Sequence, residues 1–135
     1  MAVWGNLNNY RNFGLLIARI GVGFTFIYFG FPLLAGGVKK WEALGGATRY
    51  VGIHAWPVVW GLLAATVETF GGFLLIIGLA FRPACLLLLF TMIVAILYHF
   101  GQGQGFEGAI NAIENAAVLA GFLFIGPGKY SVDKK

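Results

Sequence analysis

The sequence predicts an all-α integral membrane protein, a single four-helix bundle in one domain of 135 residues. Two observations carry this. The chain is 59% hydrophobic and only 10% charged, with a mean hydropathy of +0.84, more apolar surface than one small water-soluble core can enclose. Its apolar residues are gathered into four runs, at residues 13–34, 57–79, 83–100 and 107–126. Each approaches the ~20 residues that a helix rising about 1.5 Å per residue needs to cross ~30 Å of hydrocarbon. Stretches such as Leu86-Leu87-Leu88-Leu89-Phe90 are apolar on every side, which favours helices over the alternating pattern of a membrane barrel.

The first span begins near Phe13 and ends at Ala35-Gly36-Gly37, where the glycines break the helix. It is too long, and too poor in small-residue cleavage signals, to read as a removable leader. Its polar residue is Arg19, which shares a stripe with Gly23, Phe26 and Gly30. The loop that follows carries Lys39, Lys40, Glu42, Arg49 and His54 among Trp41, Tyr50 and Trp56. That mixture suits a short interfacial helix over Val38 to Val51, or a small lid of similar composition.

The second span opens at Pro57 and holds Glu68 near its middle. A carboxylate at that depth costs roughly 3 kcal/mol unless a partner or a wet cavity receives it, so it marks a functional site by default. Gly61, Ala65, Glu68 and Gly72 form one stripe of small residues, against which the Arg19 stripe of the first span is expected to pack. With both spans centred in the bilayer, Arg19 and Glu68 differ in height by only ~8 Å, which a guanidinium side chain bridges; an Arg19–Glu68 pair is the expectation. Such a pair serves either a polar site or helix register, and composition does not choose between them.

Arg82-Pro83 separates the second span from the third, and Gly101-Gln102-Gly103-Gln104-Gly105 the third from the fourth. The fourth span bears Glu107, Asn111, Glu114 and Val118 on one face. Asn111 and Glu114 are expected to join Arg19 and Glu68 in an intramembrane polar cavity, with Glu114 in the outer third of its helix. His54 and His99 fall together at the outer surface and are the candidate cofactor-binding residues, although two isolated histidines are ordinary at an interface and no metal site is expected. Cys85 is alone and reads as core filler.

Positive charges beside the spans set the topology. Arg11, Arg82, Lys129, Lys134 and Lys135 lie on one side and Lys39, Lys40 and Arg49 on the other, which places both termini in the cytoplasm. The net charge of +4 therefore reports insertion rather than nucleic-acid binding. No iron–sulfur ligand motif or nucleotide-binding glycine fingerprint is present.

Across these four spans the order Arg19-x-Gly21, Phe29-Gly30-Phe31-Pro32, Glu68-x-x-Gly71-Gly72, Gly78-Leu79, Arg82-Pro83 and Gly126-Pro127-Gly128-Lys129-Tyr130-Ser131-x-Asp133 resembles the DoxX family of small bacterial membrane proteins. The resemblance implies a four-helix protein of the bacterial inner membrane, some of whose relatives are linked to redox systems, including thiosulfate:quinone oxidoreduction in the DoxD-type proteins. One departure is that Leu33 stands where many relatives carry a lysine after the Phe-Gly of the first span. Two classes of function follow. In one, the chain is a subunit of a membrane redox system, with the Arg19 and Glu68 site taking a quinone headgroup or passing protons and a second protein supplying the chemistry. In the other it is a non-catalytic anchor or structural subunit of a larger complex or homo-oligomer. Solute transport is a third and weaker reading, since no inverted repeat is evident.

Overall fold

A computed structural model describes residues 6–46, 49, 52 and 56–133. A 3-10 turn at Asn6–Tyr10 leads into α1, Arg11–Ala35; then follow α2, Val38–Gly45, α3, Pro57–Ile77, α4, Phe81–Gly101, and α5, Gly105–Ile125. Four of these, α1, α3, α4 and α5, are long and apolar enough to cross a membrane, and there is no strand among the described residues. The expected spans hold to within a few residues. α4 starts two residues before the expected Pro83, because a proline in the first turn lacks only an amide that no helical carbonyl would have received.

Two antiparallel pairs make up the bundle. α1 packs along α3, α5 along α4, and the pairs join less extensively where α3 meets α4. The first pair is zipped by the expected stripes. Arg19, Gly23, Phe26 and Gly30 are the buried residues of α1, and Gly61, Ala65, Glu68 and Gly72 are all buried on α3. A Cβ on Gly23 would stand 2.5 Å from the Gly72 carbonyl oxygen, and one on Gly72 the same distance from the Gly23 carbonyl. Only glycine lets two helix backbones touch in this way, and in lipid such packing takes the place of the hydrophobic effect. Beyond this zipper the core is assembled from Phe26, Leu75, Phe81, Leu88, Met92, Leu119 and Phe122, with Cys85 fully enclosed among them, as expected of a filler.

The predicted interfacial helix is α2, with Lys39, Lys40 and Glu42 exposed; the remainder of the expected stretch, up to Val51, falls mainly outside the described residues. α2 folds back on the start of α3. A side chain at Gly45 would strike the Pro57 carbonyl, and one at Gly61 the Trp41 carbonyl. The Trp41 indole donates to the carbonyls of Leu33 and Leu34, both at 3.1 Å, tying α2 to the end of α1.

Candidate functional site

The buried ionisable residues lie in two separate places. Register between α1 and α3 decides this: Gly23 meets Gly72, so Glu68 and Thr69 fall opposite Gly30, and Arg19 falls opposite Ile76 and Gly78. The eleven residues from Arg19 to Gly30 correspond to about 16 Å of helix. The Arg19–Glu68 pair expected from sequence is therefore not formed. That expectation centred both spans in the bilayer, whereas the glycine contact slides α1 so that its first turns project past the end of α3.

Arg19 is fully buried and caged by backbone carbonyls. Its Nη1 donates to Pro127 O at 2.6 Å, and its Nη2 donates to Ile76 O at 3.0 Å and Tyr130 O at 2.8 Å, while Nε has no partner. Ile76 O is one of the last carbonyls of α3, where the helix dipole favours a cation. The rest of the cage comes from the C-terminal strap, residues 126–133. Val132 N donates to Ile77 O and Asp133 N to Gly78 O, both at 3.0 Å. The Asp133 carboxylate then accepts from Ala80 N at 3.2 Å and Phe81 N at 2.8 Å, capping α4 from 52 residues away. Arg82 Nε donates to Leu123 O at 3.0 Å near the end of α5. The strap thus closes the open ends of two helices at once, with Arg19 as its pin.

Glu68 has quite different surroundings. It is 8% exposed, backs onto Gly30 of α1, and its carboxylate makes no hydrogen bond or ion pair with any described residue. It lines a cavity of about 310 Å³ where α3 and α4 diverge, together with Trp60, Leu63, Leu87, Phe90 and Thr91. Trp60 Nε1–H is also buried and without an acceptor among the described residues. The Thr91 hydroxyl is already committed to Leu87 O at 3.0 Å. Leu63, Leu87 and Phe90 are exposed, so the cavity opens on the face of the bundle that acyl chains would cover. What results is an apolar pocket, walled in part by the Trp60 indole, with one carboxylate, the composition of sites that orient a largely hydrophobic ligand by a few polar groups. Trp60 escaped the sequence reading because a tryptophan near a span end looks like a belt residue. Its spacing from Ala64 and Glu68 by steps of four was the available signal.

The other candidates lie elsewhere. Asn111 and Glu114 are exposed on α5 and do not reach the Glu68 cavity, which α3 and α4 line; Glu114 is the tenth of the 21 residues of its helix, at the middle rather than in the outer third. A charge at mid-helix facing lipid costs about 3 kcal/mol. His99 is half-buried, edge-on to Tyr98, with Nδ1 hydrogen-bonded to the Gln104 side chain. His54 lies outside the described residues, and among the described residues no group of three His, Cys, Asp or Glu side chains is clustered.

Four bilayer-length apolar helices, with a charged residue walled into the bundle and another in a lipid-facing pocket, define a polytopic membrane protein. The DoxX family model matches residues 14–101, and the chain belongs to that family. It is 31% identical to "Inner membrane protein YphA" of Escherichia coli (strain K12), over 96% of this chain and 99% of that protein. No solved structure matches. The family match runs from Gly14, within α1, to the end of α4, and so takes in both Arg19 and the Glu68 cavity, but stops before α5 and the strap.

Proposed function

We propose that the chain is an inner-membrane subunit of a redox system that holds a quinone-type headgroup in the Glu68 cavity. The observation that carries this reading is the Glu68 carboxylate, which has no hydrogen-bond partner among the described residues and lines an otherwise apolar pocket open towards lipid. The hydroxyl of a reduced quinone ring complements a carboxylate held in such a pocket. The Trp60 ring walls the site, and the Glu68 carboxyl exchanges a proton with the hydroxyl of the reduced form. About 150 Å³ suffices for benzene in an engineered apolar cavity, so 310 Å³ suits a substituted ring with its isoprenoid tail passing out between Leu87 and Phe90. Electrons come from a second protein, which fits an accessory subunit rather than a self-sufficient enzyme. The inner-membrane location is supported by the description of the Escherichia coli relative, and cytoplasmic termini by the distribution of Lys and Arg.

A second reading, a non-catalytic structural subunit, is favoured by the Arg19 cage, since there a buried charge serves only to join helix ends. Titration of the purified protein with a short-chain benzoquinone, followed by tryptophan fluorescence, separates the two. Quenching that is largely lost in Trp60→Phe, and an affinity weakened about tenfold or more in Glu68→Gln and in the cavity-filling Ala64→Phe, support the quinone site. Affinity unchanged by both of the last two substitutions removes it and leaves the structural reading.

A further inference from the structure

The two ends of the Glu68 cavity differ. Along α3 its lining runs from Trp60 to Glu68 and goes no further, and along α4 it runs from Ala95 to Leu87, so it extends for ~12 Å beside each helix. α3 begins and α4 ends on the side of the bundle where α2 lies, and Gly45, the last residue of α2, completes the lining there. Towards the strap the two helices close together. A Cβ on Gly71 would stand 3.0 Å from the Leu88 side chain, and Leu75, Phe81, Cys85 and Leu88 have no exposed surface. Arg19 and its carbonyls lie beyond that packed core. Glu68 therefore has open volume on the α2 side and a solid plug on the other.

We propose that Glu68 exchanges its proton with water on the α2 side of the membrane and not with water on the strap side. This deepens the reading of the cavity as the working site and rests on it, but not on which ligand the cavity takes. A carboxylate at mid-membrane that no protein group partners is received by a water-filled cavity. At ~30 Å³ a molecule, the 310 Å³ beside Glu68 holds several waters. The Thr91 hydroxyl, whose proton goes to Leu87 O, leaves its oxygen as a further acceptor for them. The proton leaves the carboxyl on a water molecule, the carboxylate remains, and the return is the same step reversed. Among the described residues no other titratable side chain shares the cavity. Gly30 of α1 backs Glu68, Leu87, Phe90 and Thr91 face it from α4, and Lys39, Lys40 and Glu42 of α2 are exposed and do not line it. The lateral opening thus admits the ligand from lipid, while the α2 end carries the proton.

Thiol labelling in membrane vesicles, with no quinone added, tests the sidedness. In a Cys85→Ala background, Lys39→Cys marks the vesicles that turn α2 to the medium, Ala64→Cys reports the cavity, and Ala84→Cys reports the packed core towards the strap. A membrane-impermeant cationic methanethiosulfonate reacts with hydrated thiolate, so it should modify Ala64→Cys about tenfold faster or more with α2 outward than in inverted vesicles, and Ala84→Cys in neither. With both sides alkaline, the ratio of that rate to the rate with an uncharged methanethiosulfonate should fall about fivefold in Glu68→Gln, because the attracting charge is gone. The same fall should follow acidification of the α2 side alone, and the ratio cancels the titration of the thiol itself. Modification of Ala64→Cys from the strap side or from neither side, a ratio indifferent to Glu68→Gln, or a ratio that follows the pH of the strap side would each overturn the proposal. The quinone titration fails or holds independently of these rates, which separates the two readings.

Discussion

Arg19 and Glu68 are both buried on the facing stripes of α1 and α3, yet among the described residues one is surrounded by partners and the other has none. Three carbonyl oxygens from two separate segments converge on Arg19, whereas Glu68 faces an apolar pocket with its oxygens unmatched. Burial alone therefore says little about what a membrane charge is for. The useful distinction is whether the protein itself completes the hydrogen bonds, because a satisfied group holds a fold together and an unsatisfied one is held ready for something else.

The contrast is broken most severely by Arg19→Ala. Three carbonyls then lose their donor inside the bundle and the strap loses its pin, so a destabilisation of about 3 kcal/mol or more is expected in thermal unfolding in mild detergent. Arg19→Lys should recover only part of it, since one ammonium does not span three acceptors with the reach of a guanidinium. Gly23→Val comes next. Its side chain must displace the Gly72 backbone, and a loss of about 2 to 3 kcal/mol with weakened α1–α3 packing is expected. Asp133→Ala uncaps α4 and should cost about 1 kcal/mol by the same measurement, together with faster amide exchange at Ala80 and Phe81.

The smallest expected effect sharpens the comparison best. In a double-mutant cycle, Arg19→Ala and Glu68→Gln should add to within about 0.5 kcal/mol, because roughly eleven residues of helix separate them. A coupling above about 1 kcal/mol would restore the direct pair that the register excludes.

Most of the fold was legible because membrane spans are written in length and hydropathy, and the joints in Gly and Pro. The facing stripes were legible too, since Gly23 and Gly72 leave a pattern of small residues that only packing explains. The partner of Arg19 was not. Its acceptors are main-chain carbonyls of Ile76, Pro127 and Tyr130, and a carbonyl has no letter in the sequence. The side-chain logic that seeks an acid for every buried base consequently chose Glu68. For Asn111 and Glu114 the shared face was read correctly, but which way the face turns depends on how α5 rolls against α4, and that is set by Leu119 and Phe122 rather than by the polar residues themselves.

Thermal unfolding of Glu68→Leu with and without a short-chain benzoquinone tests the difference between the two sites most directly. A ligand-facing carboxylate predicts a baseline Tm equal to or above that of the unmodified chain, because no hydrogen bond is lost, and no rise in Tm on adding the quinone where the unmodified chain shows one. A baseline that drops as far as that of Arg19→Ala, or a ligand-induced rise that survives the substitution, would contradict it.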